Sequence, residues 1–511
     1  MFTTKRMSIL MLILCLTLIV GACSSNNGNN QPSGTANTGS TEATPAPGKT
    51  EELKPVNLTW YYIGPEQEDL KSVQEAVNKI TQEKINATVT LKIGSWNYQD
   101  KMNPIVASGE PVDIIWASSW NFNYVQNVKK GAFMELTEEQ LAQYMPKTRE
   151  TIPAFAWDGV KVDGKIYGVP SYQIMAQNPG FIVRKSIAEK YGLDPAAIKT
   201  IRDMEPFMAK VKAGEKDMVT LALDPRNGLF KNLSRTWGLE EVGGVGAIDY
   251  KAGDYKVMNI YETAGFKEST EIVRDWYQKG YIHKDAPLDS IKEIQEKSQD
   301  AIVIHTTLKP GGNVKAFTTE DKVGEDSVYV PLVENYVPAT AAQATLNAVS
   351  KTSANPERAM MFLELVNNDK ELYNLISNGI KDKHYKQVDD KYIEIIPESG
   401  YSPNTSWVFG NTFNEYLKAG MLPTIHEETL KMNAESKPAA LMGYVFNPEP
   451  VQSNVANVTS VLDTYLPILL TGAEDPAKVL PEFQQKLKQA GVDEVIAELQ
   501  KQIDEWKSTK K

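Results

Sequence analysis

Cysteine and histidine are both scarce in this chain of 511 residues. The two cysteines, Cys15 and Cys23, lie close to the start, so the rest of the chain can form no disulfide and a large hydrophobic core must hold the fold. The four histidines are far apart in the sequence, and no two have the spacing of metal ligands. The sequence therefore predicts no metal and no other cofactor. The histidines are His283, His305, His384 and His426.

Familiar catalytic motifs are also missing. The chain has no Gly-x-Ser-x-Gly segment, no phosphate-binding loop and no cysteine placed as a nucleophile, so we predict no catalytic residues. Carboxylates are abundant, and a surface enzyme that processes polysaccharide with two of them stays open as an alternative. The net charge of −11 argues against nucleic acid as a partner and against a surface that lies on a membrane.

One long apolar run is present, at the N-terminus. Lys5 and Arg6 precede twelve apolar residues, Ile9 to Val20, which are too few to span a bilayer because a helix needs about 20. The run ends in Val20-Gly21-Ala22-Cys23, which resembles the lipobox of bacterial lipoproteins. That resemblance implies cleavage of a signal peptide, residues 1–22, and a lipid on Cys23. We therefore expect a lipoprotein on the extracellular face of the cell membrane, held there only through its anchor.

Residues 23–54 contain Ser, Asn, Gly, Thr, Pro and Ala with almost no large apolar side chain. Such a segment cannot bury enough surface to offset its conformational entropy, so it predicts a disordered tether. The body that follows is long enough for two or three domains.

The start of the body predicts an α/β fold. The hydrophobic pattern alternates from Val56 to Trp60 and has helical spacing from Leu70 to Ile80. A second strand, Ala87–Ile93, and a second helix, Tyr98–Ser108, lead to a short apolar strand at 112–116. Farther on, Pro356 follows Asn355 at a predicted helix start, and residues 492–506 carry a helical stripe.

Several segments resemble one family. Ala107–Ile115, Val162–Pro170 and Asn355–Leu363 resemble motifs of the bacterial extracellular solute-binding proteins of family 1, which are maltose-binding-protein-like receptors of ABC importers. Residues 374–385 and Gly443–Pro448 resemble the C-terminal region of LipO-type lipoproteins, a domain of unknown function. The order of the motifs along the chain is more specific than any one of them.

The resemblance implies a periplasmic-binding-protein-like (type 2) fold, with two α/β lobes joined by a hinge around a cleft. We expect 55–165 with 295–345 in the first lobe and 166–294 with 346–507 in the second, the LipO-type region being about 370–507. It further implies a monomeric receptor that captures a solute, expected to be an oligosaccharide, and delivers it to the permease subunits of an importer. A peptide or another solute is the alternative ligand.

Candidate ligand-binding residues lie beyond the ends of the predicted strands. Sugars bind to aromatic faces surrounded by amides, hydroxyls and carboxylates, and open α/β sheets bind ligands at the carboxyl ends of their strands. For any single tryptophan, packing in the core is as good an explanation as binding. The candidates after the first three strands are Trp60, Tyr61, Tyr62, Trp96, Tyr98, Ser118, Ser119, Trp120 and Asn121.

Other candidates come from later in the chain. Those predicted for the opposite side of the cleft are Tyr172, Gln173 and Trp237. His305 and Lys309 follow a buried run and are expected to rejoin the first lobe. Asn378 and Trp407 complete the set, while His384 is interpreted as a structural histidine.

Overall fold

The computed structural model describes residues 53–297, 299–314, 317–319 and 322–509. The predicted signal peptide, Cys23 and residues 23–52 of the predicted tether lie outside these ranges.

The strands of the described residues form several sheets. In chain order they are β1 (Val56–Tyr62), β2 (Ala87–Ile93), β3 (Ile114–Ala117), β4 (Lys161–Val162), β5 (Lys165–Ile166), β6 (Val169–Pro170), β7 (Gly180–Arg184), β8 (Met218–Ala222), β9 (Leu239–Val242), β10 (Gly246–Asp249), β11 (Met258–Asn259), β12 (Gln299–His305), β13 (Phe317–Thr319), β14 (Lys322–Glu325), β15 (Ser327–Pro331), β16 (Tyr336–Val337), β17 (Leu346–Val349), β18 (Tyr385–Gln387), β19 (Tyr392–Ile395), β20 (Leu417–Lys418) and β21 (Lys437–Pro438).

Helices cover the sheets and build most of the C-terminal part. In chain order they are α1 (Leu70–Ile85), α2 (Tyr98–Ser108), α3 (Tyr124–Lys129), α4 (Glu138–Tyr144), α5 (Pro146–Thr151), α6 (Ala154–Gly159), α7 (Lys185–Tyr191), α8 (Glu205–Gly214), α9 (Gly228–Leu233), α10 (Ala264–Gln278), α11 (Ile291–Lys297), α12 (Pro356–Asn368), α13 (Lys370–Asn378), α14 (Ile425–Glu435), α15 (Gln452–Leu470), α16 (Pro476–Gln489) and α17 (Val492–Thr509). Within the described ranges, no helix combines the length and the apolar composition that crossing a membrane requires.

The predicted elements of the N-terminal part are confirmed. The second strand and the second helix have the predicted bounds, and the strand at 112–116 is shifted to Ile114–Ala117. The helix at Pro356 is also confirmed, although the Asn355 side chain makes no capping hydrogen bond. These elements carry clear hydrophobic periodicity, which is the sequence signal that local structure follows most closely.

The first lobe is built on a sheet of order β2-β1-β3-β17-β6. β1 pairs in parallel with β2 and β3, while β17 runs antiparallel to both β3 and β6. The core around it takes in residues of α1, α12 and α13. Every residue of β3 and β17 is buried, so both faces of the sheet are covered there.

The second lobe is built on a sheet of order β15-β7-β12-β8. Its core includes Phe181, Leu221, Trp276 and Ile302. A further core adjoins it, formed by β9 to β11 with the C-terminal helices α15 to α17, and Trp237 packs against both cores. The amphipathic stripe predicted for 492–506 faces this further core.

The predicted lobe boundaries are wrong in three places. Residues 299–331 belong to the second lobe, because β12 and β15 pair with β7. Residues 346–376 belong to the first lobe, because β17 pairs with β3 and the helices after it pack on the same core. Residues 166–170 also stay in the first lobe through the β6–β17 pair. Pairing between strands that are far apart in the chain decides all three lobe assignments. The local hydrophobic pattern of the sequence carries no information about that pairing.

Within the described ranges, the chain passes between the lobes in three crossings, near 171–179, 332–345 and 436–443. The crossings bond to one another at the hinge. Gln177 and Tyr336 exchange backbone hydrogen bonds of 2.7 and 2.9 Å, and β16 pairs with β21 of the third crossing.

Candidate functional site

The strand registers show which ends of the two sheets face each other. In the first sheet Leu346 pairs with Ala117 and with Pro170, so the chain enters and leaves this sheet at the edge where β3 ends. In the second sheet Gly180 pairs with His305 and with Pro331. The loops after β1, β2 and β3 therefore face the second lobe, and the loops after β8 and β12 face the first. The cleft lies between these two sets of loops.

Three tryptophans lie together on the first-lobe side of this cleft. Trp96 and Trp120 are each 55% exposed, which is unusual for the largest apolar side chain, and Trp407 is half-buried. The ring centroids of Trp120 and Trp407 are 6.0 Å apart. Buried Trp116 lies beneath both, with its centroid 5.6 Å from that of Trp120 and 6.1 Å from that of Trp407. We call Trp96, Trp120 and Trp407 the tryptophan wall.

Hydrogen bonds hold the Trp120 ring and the backbone of Trp407 in the tryptophan wall. The Trp120 indole N–H donates to the Ala344 carbonyl at 2.8 Å, which joins it to the second crossing. Thr345 accepts a hydrogen bond from the Trp116 indole and donates one to the Trp407 carbonyl, at 2.8 and 3.1 Å. Because the rings of Trp120 and Trp407 also pack on Trp116, stacking on these two rings costs little conformational entropy.

Polar groups at the tip of the β3 loop complete this wall. The Ser118 hydroxyl accepts from the Trp120 and Asn121 amides and donates to the Asn121 carbonyl, so it shapes the loop and does not face the ligand. The Asn121 amide donates to the Trp96 carbonyl at 3.1 Å, while its side-chain oxygen has no partner among the described residues. The Ser119 amide is bonded to Gln343, and its hydroxyl is half-buried beside the wall. Such a surface suits a sugar ring with hydroxyls at its edge.

Four aromatic candidates in the first lobe are core residues instead. Trp60 is fully buried, and its indole N–H donates to the Asn347 side chain at 2.9 Å. Tyr62 packs on Trp60 with ring centroids 5.0 Å apart, and buried Tyr98 donates to the Tyr61 carbonyl. Tyr61 is itself buried. The residues lie within or beneath a sheet that is covered on both faces, so their position near a strand end does not expose them.

Three candidates from later in the chain also lie elsewhere than predicted. Tyr172 and Gln173 belong to the first lobe: the Tyr172 ring packs on Phe413 at 4.9 Å, and the Gln173 carbonyl accepts from Asn433. Asn378 is buried and bonded to its neighbour Asn374 at 3.0 Å, so it cannot reach a ligand.

Trp237 is in the second lobe, as predicted, but its surroundings point to packing. Its indole N–H donates to Glu268 at 2.9 Å, and a Cβ on Gly265 would lie 2.8 Å from its side chain. The structure gives it no contact with the tryptophan wall.

His305 and Lys309 are exposed at the cleft-facing end of the second lobe, not in the first lobe. Burial in its surroundings, and the positive charge of Lys309, lower the pKa of His305. Lys309 lines a recess of about 620 Å³ whose opposite wall is formed by Leu422 and residues of α14 in the first lobe. The two side chains are therefore placed to meet a ligand from the second lobe.

Sequence reasoning missed Glu241, whose carboxylate is accessible on the second lobe. Desolvation nevertheless raises its pKa from 4.5 to about 7, against the opposing effects of Lys231 and Ser234. Neighbouring protein atoms thus keep water from the carboxylate although the residue as a whole is exposed. One glutamate in a charged stretch gives no signal in sequence. Across the described part of the chain, no three His, Cys, Asp or Glu side chains are grouped closely enough to hold a metal ion.

A family model described as bacterial extracellular solute-binding protein matches residues 75–379, which is more than half of the chain. The chain belongs to this family. A second model, a domain of unknown function (DUF3502), matches residues 440–508. The family resemblance and the predicted fold are thus confirmed, and this solute-binding protein is a receptor and not an enzyme.

Relatives support the same assignment. A carbohydrate ABC transporter substrate-binding protein of Streptococcus pneumoniae is 29% identical over 466 residues, 90% of this chain and 92% of that protein. Lipoprotein LipO of Bacillus subtilis is 22% identical over 398 residues, 74% of this chain and 73% of that one. The crystal structure of the N-glycan transport solute-binding protein NgtS of S. pneumoniae has a TM-score of 0.76 at 27% identity and covers 89% of this chain and 100% of its own.

Proposed function

We propose that this solute-binding protein is the receptor of an ABC importer and binds an oligosaccharide on the tryptophan wall. The observation that carries the proposal is the exposure of Trp96 and Trp120 beside Trp407, at the cleft-facing ends of strands in the first lobe. Large indole faces exposed in a cleft cost free energy in water and gain it by stacking on the C–H faces of sugars. The second lobe, with His305 and Lys309 at its edge, closes over the bound sugar.

A neutral glycan fits this wall better than an acidic one. The groups that Trp96, Trp120 and Trp407 present are indoles, which carry no charge. NgtS of S. pneumoniae, which resembles this chain over most of its length, has been solved in complex with Man5GlcNAc. Glycans of mannose and N-acetylglucosamine are therefore the first ligands to test.

The anchor and the partners belong to the same proposal. Cys23 carries the lipid, residues 24–54 link it to the body, and the receptor works as a monomer at the extracellular face of the membrane. Closure around the sugar presents both lobes to the permease subunits. Metabolic labelling with palmitate tests the anchor, and the label is expected on the native chain and not on Cys23→Ser.

The ligand is tested by two measurements on the purified protein. Mass spectrometry identifies any solute retained from the medium, and calorimetry compares mannose–N-acetylglucosamine oligosaccharides with galacturonate oligosaccharides and peptides. Binding of a neutral oligosaccharide that Trp120→Ala strongly weakens supports the proposal. Tight binding of a peptide, or glycan binding that Trp120→Ala leaves unchanged, would overturn it.

A further inference from the structure

The hinge contains a cluster of stacked and paired side chains, which we call the hinge clamp: Arg235, Glu240, Tyr250 and Tyr336. The Arg235 guanidinium lies over two rings, 3.9 Å from the centroid of Tyr250 and 3.8 Å from that of Tyr336. It also pairs with Glu240 at 3.0 Å, and both of these charged side chains are about nine-tenths buried. A guanidinium desolvated between aromatic faces is a strong cation–π arrangement.

The hinge clamp reaches all three crossings from the second lobe. Tyr336 is part of the second crossing, and its hydroxyl donates to the Gln177 side chain of the first crossing at 3.0 Å. Glu240 accepts hydrogen bonds from the backbone amides of Ala440 and Leu441 in the third crossing, at 3.1 and 2.9 Å. One arginine and its partner carboxylate thus join the second lobe to the whole hinge.

The first lobe holds the neighbouring residues of the same crossings. The Asn433 side chain, on α14, accepts from the amides of Met175 and Ala176 at 2.9 and 3.0 Å. Val337 and Met442 are buried in the core of the first lobe. At 176–177, 336–337 and 441–442, therefore, two adjacent residues are attached to different lobes.

We propose that Arg235 is a positioning residue for ligand capture, because the hinge clamp confines rotation of the lobes to the peptides 176–177, 336–337 and 441–442. This inference rests on the proposed function in assuming that closure completes binding. With a defined pivot, the lobes return to the same closed arrangement each time, so the second lobe meets the ligand in one position. With a loose hinge, the lobes take many orientations relative to each other. Ordering them on binding then costs free energy and lowers the affinity.

Arg235→Lys tests the role, since lysine keeps the charge beside Glu240 and loses the planar face. We expect the affinity for the glycan found above to fall about tenfold, mainly through faster dissociation. Tyr250→Phe keeps the ring face that stacks on Arg235 as well as the bond from Tyr336 to Gln177, and it serves as the matched control that leaves affinity close to wild type. Hydrogen exchange without ligand is expected to quicken in peptides covering the three crossings and nowhere else.

Unchanged affinity together with unchanged exchange at the crossings in Arg235→Lys would overturn the proposal. If exchange quickens throughout the protein, the variant is globally destabilised, and Tyr250→Leu then removes one ring face while the ion pair stays. Tyr250→Leu must loosen the crossings selectively, or the proposal fails. The exchange measurement needs no sugar, so it still decides the hinge question if none of the glycans binds. Trp96→Ala, in the same tryptophan wall, is expected to weaken binding with wild-type exchange at the hinge.

Discussion

Trp120 and Trp407 lie with ring centroids 6.0 Å apart although one follows β3 and the other comes from a loop near the end of the first-lobe chain. Both rest on Trp116, and the Trp120 indole is bonded to the second crossing. The pair therefore joins the ligand surface to the second crossing of the hinge.

Removing either ring of this pair is expected to weaken binding strongly. Trp120→Ala and Trp407→Ala should each raise the Kd of the glycan about 30-fold, because buried aromatic anchors contribute about 2 kcal/mol or more to an interface. Calorimetry measures the change. Trp237→Phe is the matched control: it alters a tryptophan of the second lobe that is bonded to Glu268, and should leave the Kd unchanged. Equal losses in all three variants would contradict the assignment.

Trp60 is expected to affect stability and not binding. Trp60→Phe leaves the Asn347 side-chain oxygen without its donor inside the core and removes volume next to Tyr62, Phe362 and Phe409. The free energy of unfolding should fall by about 2–4 kcal/mol. Urea denaturation measures this loss, and calorimetry on the folded variant should give the wild-type Kd. A large increase in Kd with unchanged stability would show that Trp60 contributes to ligand binding.

Glu241 is expected to make stability depend on pH near neutrality. Its pKa is raised in the fold from 4.5 to about 7, so between these values the folded chain binds more protons at this group than the unfolded chain does. Stability therefore decreases as pH rises through this window. Glu241→Gln should remove that decrease and raise Tm relative to wild type above pH 7, with little difference below pH 4.5. Glu139→Gln, an exposed glutamate of α4, is the control. A difference in Tm that is independent of pH would contradict this assignment.

Gly379 is expected to tolerate no side chain. It has a φ of +83°, and a Cβ there would lie 2.3 Å from the Nδ1 atom of His384, which accepts the Ile380 amide. Gly379→Ala should lower the free energy of unfolding by more than about 2 kcal/mol, through backbone strain and the clash together. Gly109→Ala also has a positive φ, of +71°, but a Cβ there meets nothing within 4 Å, so it should cost about 1 kcal/mol. Thermal and urea unfolding compare the two. Equal losses would show that the contact with His384 does not matter.

His384 illustrates a residue whose role was rightly predicted as structural. It is fully buried, its Nδ1 accepts from the Ile380 amide, and its Nε2 contacts the Asp69 carboxylate at 3.1 Å. Both ring nitrogens are thus used within the protein. The sequence could favour this outcome because a lone histidine has more ways to be a packing residue than a ligand.

The structure divides the predicted site residues into those that reach solvent and those that pack in the core. Trp96 and Trp120 are exposed and Trp407 is half-buried, whereas Trp60, Tyr62 and Tyr98 are core residues with the same side-chain chemistry. From the sequence alone, an aromatic residue at the end of a strand is compatible with ligand binding and with packing in the core. The sheet is covered on both faces, so only residues beyond the strand, in the loops, reach solvent. Glu241 and the hinge clamp gave no signal, since each depends on neighbours that are far away along the chain.

The sequence by itself determined the α/β elements and the family, because hydrophobic periodicity and short ordered motifs are local properties of the chain. After Cys15 the sequence has one further cysteine, Cys23, and it lies in the lipobox-like segment. Only the tertiary structure decided which lobe holds residues 299–331 and 346–376, and which tryptophans form the wall. The free energy gained when two strands pair depends on contacts between segments that are far apart in the chain. The same is true when one ring is buried while another stays in water. No local pattern in the sequence records those contacts.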